Sequence, residues 1–247
     1  MSSWAKWLLR AAERAAEDVR AARANDPAAR SSLEVILVYP GVHALWLHRA
    51  SHALWVRDYK LAARLVAYGN RFATGIEIHP GARIGRRVFI DHGMGIVVGE
   101  TATVGDECLL YKGVVLGGTS LEHTVRHPQV GKGVVIGSNA CILGAIHVGD
   151  HARVGAGSVV VRDVPPATTV VGVPARVMIL SRDRFESSLD HANLPDPMTE
   201  MIRDLARQNE ALRERVTALE RQSGVGGEDP PFEAPHDVGE LPRADGG

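Results

Sequence analysis

From Ile76 onward the apolar positions of the chain fall on a six-residue beat. Ile78, Ile84, Ile90 and Ile96 keep it, the register slips by two, and Val98, Val104, Leu110 and Leu116 take it up again. After a break it runs through Val130, Ile136, Ile142, Val148, Val154 and Val160, and resumes at Val164 and Val170. The period matches neither the about 3.6 of an α-helix nor the alternation of a simple strand. It predicts a parallel β-helix, in which each hexapeptide forms one flat side of a triangular coil and three close a turn. The recurring aliphatic residue points inward and stacks on its counterpart in the next coil. A β-sandwich would instead show longer alternating runs joined by hairpin turns. Between Leu116 and Val130 the segment "GGTSLEHTVRHPQ" cannot hold the period and is expected as a loop thrown out of the coil.

Upstream the texture is helical. Residues 1–24 are rich in Ala, Arg and Glu, which favour helix. Asp26-Pro27 reads as a helix N-cap followed by proline at the first helical position. Residues 33–73 carry apolar residues at helical spacing, broken by Pro40-Gly41, and predict several packed helices. Past Val177 the hexapeptide period ends. Residues 181–197 look like a connector. Met198, Ile202, Leu205, Asn209, Leu212, Val216 and Leu219 then follow a four-three spacing, which fits either a coiled-coil seam or a helix docked on its own domain. The last stretch is rich in Gly, Pro and acidic residues and is expected to be disordered. The organisation is therefore a helical region 1–75, a coil 76–180, a connector with an amphipathic helix 181–222, and a tail 223–247.

Composition narrows the function classes. The 247 residues carry a formal net charge of -1, so bulk electrostatics point to neither nucleic acid nor a membrane surface. Two cysteines, Cys108 and Cys141, make no disulfide framework and suit a reducing compartment. The N-terminus lacks the pattern of a signal peptide. No segment reaches the roughly 20 apolar residues that span a bilayer. A cytoplasmic protein is expected.

Departures from the aliphatic repeat mark the candidate chemistry: Glu77, His79, Asp91, His92, Arg126 and His127. A turn of the coil takes about eighteen residues, so Glu77 and His92, fifteen apart, can share an edge on adjacent coils. A carboxylate could then hold the imidazole while its other nitrogen acts as a base on a hydroxyl. Each residue also has a plainer explanation. A lone histidine is commonly a surface or satisfied polar group, Asp91-His92 could decorate a turn, and Arg126-His127-Pro128 could brace the loop. Their joint occurrence, with Gly117-Gly118-Thr119 and a loop insertion, favours a site.

Several stretches carry a resemblance: "IEIHPGARIGRRVFIDHGMGIVVGETATVGD", "LGGTS", "RHPQVGKGVVIGSNACILGAIHVGDHARVGAGSVVV" and "VPPATTVVGVPARV", with "NDPAA" and "YPGVHALWLHRASHALW" ahead of them. Together, from about Asp26 to Val177, the chain resembles the serine O-acetyltransferases, enzymes that make O-acetylserine for cysteine synthesis. The resemblance implies a left-handed parallel β-helix with an N-terminal α-helical region and a C-terminal helix. It implies acetyl-CoA as co-substrate and no metal. His92 would be the general base, with Glu77 standing where many members have Asp. Asp26, Asp91, Arg126 and His127 would hold L-serine, since a zwitterion needs an anion for its ammonium and a cation for its carboxylate. Gly118, Thr119, Ser138, Arg153 and Ala156 would line the path of CoA. His79 would be structural.

The resemblance also implies a homotrimer or a dimer of trimers. Members that dock on cysteine synthase end in isoleucine, and this chain ends "RADGG", which argues against that complex. Two rivals share the coil: an acetyltransferase for another hydroxyl acceptor such as homoserine, and a γ-carbonic-anhydrase-like zinc enzyme, for which His123 and His127 have suggestive spacing.

Overall fold

The computed structural model describes residues 3–178, 207–217 and 219. Four helices precede the coil: α1 (Ser3–Asn25), α2 (Ser32–Val38), α3 (Pro40–Trp55) and α4 (Lys60–Thr74). Asp26 does not cap a helix; it closes α1, and the cap of α2 is Ser31, whose hydroxyl accepts from the Glu34 N–H at 3.1 Å. The Asp26 carboxylate is drawn off by other partners, described below. Pro40 starts α3, where its missing N–H costs nothing.

Fifteen strands follow. They are β1 (Glu77–Ile78), β2 (Arg83–Ile84), β3 (Phe89–Ile90), β4 (Val97–Val98), β5 (Thr103–Val104), β6 (Leu109–Leu110), β7 (Val115–Gly117) and β8 (Gln129–Val130). The coil continues through β9 (Val135–Ile136), β10 (Cys141–Leu143), β11 (His147–Val148), β12 (Arg153–Val154), β13 (Val159–Val160), β14 (Thr169–Gly172) and β15 (Ala175–Met178). Each strand pairs in parallel with the third strand on as far as β13; β12 then pairs with β14, and β15 folds back antiparallel on β14. The result is a three-faced coil. Its first face is β1-β4-β7-β10-β13, its second β2-β5-β8-β11, and its third β3-β6-β9-β12-β14-β15. The aliphatic beat is the core: Ile78, Val98, Leu116, Ile142 and Val160 stack behind the first face, and Ile90, Leu110, Ile136, Val154 and Val170 behind the third.

The phase slip has a definite place. Four residues, 111–114, join β6 to β7, and later coils turn with the same economy at 137–140 and 155–158. Between β3 and β4 there are six, 91–96. The two extra residues therefore lie inside "DHGMGI", ahead of Ile96, and not after it as the count along the sequence suggests. Ile96 itself is buried, and Val97 pairs in register with Val115.

The three faces differ outside. The outward residues of the third face include Phe89 and Leu109, which are buried with Val19, Ala22, Val35 and Val42 under helices α1 to α3. Asp18 latches that layer: its carboxylate accepts from the Arg49 guanidinium (2.8 Å) and the Trp46 indole (3.0 Å). The second face turns Arg83, Thr103, Gln129 and His147 outward. The first face turns out Val97, Val115, Cys141 and Val159, an apolar row left partly open. Cys108 fills the core, where burial pushes its thiol up to about 11. Cys141 is half-buried on that outer row.

Among the described residues no helix is long and apolar enough to cross a membrane. The described residues past 206 belong to a separate unit. Within it residues 207–217 and 219 are helical, with Leu212, Val216 and Leu219 exposed. Met198, Ile202 and Leu205, the connector and the tail lie outside the described residues.

Candidate functional site

The predicted site residues fall on two edges of the coil. Edge I is where the chain passes from the third face to the first, and edge II where it passes from the first to the second.

Edge I holds Asp91 and His92 on the enlarged corner. His92 adopts a left-handed backbone (φ 58°), and Gly93 follows at φ 72°. Left-handed residues also occur at Glu107, Asn139 and His151, so the conformation belongs to the coil's corners in general. The two added residues distinguish this corner, and they present the ring: the His92 side chain is 76% exposed. Its Nε2 lies 4.0 Å from Asp91 Oδ1. Asp91 is half-buried. Burial raises its carboxyl above the ordinary value, His92 opposes that, and the charge of Asp26 adds to it. Asp26 reaches this corner from the α1–α2 turn. Its Oδ1 accepts from the Ala28 N–H at 2.8 Å and its Oδ2 from the Tyr39 hydroxyl at 2.6 Å. The Tyr39 phenol is pushed up to about 12, by that hydrogen bond first and then by burial. Burial and Asp91 likewise raise Tyr111. Ser138 and Ala156 lie farther along the same edge on successive coils, tied by the Gly157 N–H to Ser138 O bond at 2.8 Å. Arg153 stands one strand before Ala156, on the third face.

The expected Glu77–His92 bond is not formed. The Glu77 carboxylate pairs with Arg71 at 3.0 Å. Its backbone is close by, since the Glu77 N–H donates to Ile96 O at 2.9 Å. Arg71, in the last turn of α4, simply wins the carboxylate. Among the described residues the acid beside His92 is Asp91.

Edge II holds Arg126, His127, Gly118 and Thr119. Arg126 Nη2 donates to Glu100 Oε2 at 3.0 Å. His127 is 8% exposed. Thr101 offers Nδ1 both its hydroxyl (2.8 Å) and its N–H (3.2 Å). These partners make Nδ1 the acceptor and leave the neutral ring's proton on Nε2. Burial, and then Arg126, hold the ring's pKa below its ordinary value. A Cβ at Gly99 would overlap the His127 ring, so only glycine lets the imidazole lie flat here. Gly118 is close as well: a Cβ there would stand 3.2 Å from Nε2. Glu100 and Thr101 were missed by sequence reasoning. They sit in the corner one coil before the loop, and because Asp106 and Asp150 follow the glycine of other corners as Glu100 does here, the sequence carried no distinguishing signal. His79 lies behind this edge, edge-on to Trp55 at 4.9 Å, its Nδ1 accepting from the Gly81 N–H at 3.0 Å. Burial pushes it down to about 4. Among the described residues no three His, Cys, Asp or Glu side chains converge as metal ligands.

Residues 127–162 match a family model described as bacterial transferase hexapeptide (six repeats). The chain is similar to the serine acetyltransferase of Bacillus pumilus (strain SAFR-032): 46% identical over 206 residues, 83% of this chain and 95% of that one. It is similar in structure to a Neisseria gonorrhoeae serine acetyltransferase in complex with serine, with a TM-score of 0.66 and 42% identity over 69% of each chain. A serine acetyltransferase in complex with CoA gives a TM-score of 0.64 and 42% identity, covering 67% of this chain and 69% of that one. The coil is the left-handed parallel β-helix that the repeat and the resemblance implied.

Proposed function

The chain belongs to the serine acetyltransferase family, and from that premise we propose which of its residues carry the transfer and how they meet. The enzyme moves the acetyl group of acetyl-CoA to the hydroxyl of L-serine, giving O-acetyl-L-serine and CoA. His92 takes the proton of the serine hydroxyl as that oxygen attacks the thioester carbonyl. The tetrahedral intermediate collapses, the carbon–sulfur bond breaks, and the imidazolium returns the proton to the departing CoA thiolate. Asp26 and Asp91 receive the substrate ammonium. The Arg126 guanidinium and the Nε2–H of His127 receive its carboxylate. Gly118, Thr119, Ser138, Ala156 and Arg153 line the path of CoA. Glu77 orients the His92 ring once it exchanges Arg71 for the imidazole.

These residues do not complete a site within one chain, because edges I and II flank the first face from opposite sides. That face is the coil's bare apolar one. Three copies with their first faces around a common axis bring edge I of one copy against edge II of the next. A homotrimer is therefore the working unit in this reading. Two unpaired cysteines suit a reducing cytoplasm.

The observation that carries the assignment is Asp91 beside His92, 4.0 Å from its Nε2, with the charge of Asp26 acting on Asp91 from the α1–α2 turn: two carboxylates suit an ammonium. Thiol release from acetyl-CoA should appear with L-serine and not with L-homoserine or L-threonine; faster release with homoserine overturns the substrate. Mixing refolded His92→Ala and Arg126→Ala chains should recover activity that neither has alone. Failure to recover it overturns the shared site.

A further inference from the structure

We propose that Tyr39 is a positioning residue for the amino-acid substrate: its phenol fixes the Asp26 carboxylate in the orientation that receives the ammonium. The inference rests on the assignment of Asp26 to serine.

Asp26 needs such a partner. It follows the end of α1 and lies in an irregular turn before the Ser31 cap of α2. One oxygen is tied locally, to the Ala28 N–H two residues on. That bond fixes one lone pair and leaves the carboxylate free to swing about it. The Tyr39 hydroxyl supplies the second tether, at 2.6 Å on the other oxygen. Each oxygen still has a lone pair for an ammonium. The donor is a neutral phenol, so it holds the carboxylate without cancelling the charge that the substrate needs. An Arg or Lys in its place would compete with the ammonium, as Arg71 competes for Glu77.

Tyr39 is itself held firmly. It precedes Pro40 and takes the extended backbone this imposes, φ −96° and ψ 101°. It closes α2 by donating its N–H to Val35 O at 3.3 Å, and opens α3 by accepting from the N–H groups of Val42 (3.1 Å) and His43 (3.3 Å). Its ring packs on the cluster of Val19, Val35, Val42 and Phe89. A Cβ at the next glycine, Gly41, would overlap the backbone oxygen of Ile90, so α3 starts in direct contact with the residue before Asp91. The helix break thus sets the phenol by the same corner that carries Asp91 and His92. The raised phenol stays protonated, and so remains a donor, across any pH at which the enzyme is assayed.

The test is steady-state kinetics on Tyr39→Phe, Asp26→Asn and the double variant, with both substrates varied. Tyr39→Phe keeps the ring and the packing, and a melting curve verifies the fold. Losing a hydrogen bond to a charged group should raise KM for serine about tenfold. The kcat should stay within about twofold and KM for acetyl-CoA should not move. Asp26→Asn should raise KM for serine further, and Tyr39→Phe should add nothing on that background. If Asp26→Asn raises KM for serine while Tyr39→Phe does not, the role of Tyr39 is overturned and that of Asp26 stands. If the two variants raise it additively, Tyr39 does not act through Asp26. If Asp26→Asn leaves KM for serine unchanged, the assignment of Asp26 fails and the inference with it. A loss of kcat with equal effects on both substrates would make Tyr39 a packing residue only.

Discussion

His92 and His127 stand on opposite edges of the same face and are built in opposite ways. His92 rides on a corner enlarged by two residues, its side chain 76% exposed and its ring without a hydrogen bond among the described residues. His127 is 8% exposed, bonded twice by Thr101 and packed against Gly99. The difference suits the tasks proposed for them. A base must gain and lose a proton within one turnover, so its ring is left open on a stiff backbone. A substrate ligand must present one tautomer every time, so its ring is buried and fixed from behind. Edge I gathers acids from two distant parts of the chain, and edge II gathers a cation and a neutral donor. In the proposed trimer a zwitterion between such edges would take one orientation.

The strongest way to break this comparison is to remove the exposed ring. His92→Ala should cut kcat by about a thousandfold, with the melting temperature unchanged, as read by thiol release and calorimetry. A full rate in that variant removes His92 as the base. On the other edge, Gly99→Ala forces the His127 ring off Thr101. It should cost about tenfold in kcat/KM for serine, leave KM for acetyl-CoA alone, and lower the melting temperature by about 2–5 °C. A variant whose serine kinetics are untouched would show that the fixed ring is scaffolding.

Acid pH tests edge I. If Asp91 holds the serine ammonium it must be ionised, and its raised carboxyl means that kcat/KM for serine should fall with pH at values above the ordinary 3.8. The same shift has the opposite sense for stability. A carboxyl raised by folding favours the folded state at low pH, and that contribution is lost as pH rises through its folded value. Asp91→Asn should therefore lose most serine capture yet melt slightly higher at neutral pH. A lower melting temperature in that variant would show that the charge is well compensated in the fold. The smallest effect concerns Glu77. If it serves His92 in turnover, Glu77→Gln should slow kcat severalfold while Arg71→Ala leaves it unchanged or raises it. Equal losses in both variants would make the ion pair structural.

Much of this architecture could be read along the chain, because a β-helix repeats one burial rule. Ile78, Ile84 and Ile90 each occupy the same kind of position, so the period, the faces and the interrupted loop follow from the beat alone. The chemistry-bearing residues showed themselves as exceptions to it. Position along the beat is less legible where the chain spends extra residues: the count along the sequence puts the slip after Ile96, and the structure puts it within 91–96. Cys141 keeps to the repeat but sits on the outer row, since alternate residues of a short strand point to opposite sides.

The sequence by itself determined the coil, the helical region ahead of it and the residue types that depart from the repeat, because those depend on local periodicity and side-chain chemistry. Only the tertiary structure decided that Asp26 meets Tyr39, that Arg71 takes Glu77, and that Glu100 and Thr101 stand behind Arg126 and His127. These pairings are contests between groups from different elements. Hydrogen bonds and ion pairs weaken steeply with distance, so ångström-scale placement of helices on the third face and of corners on neighbouring coils settles which partner wins.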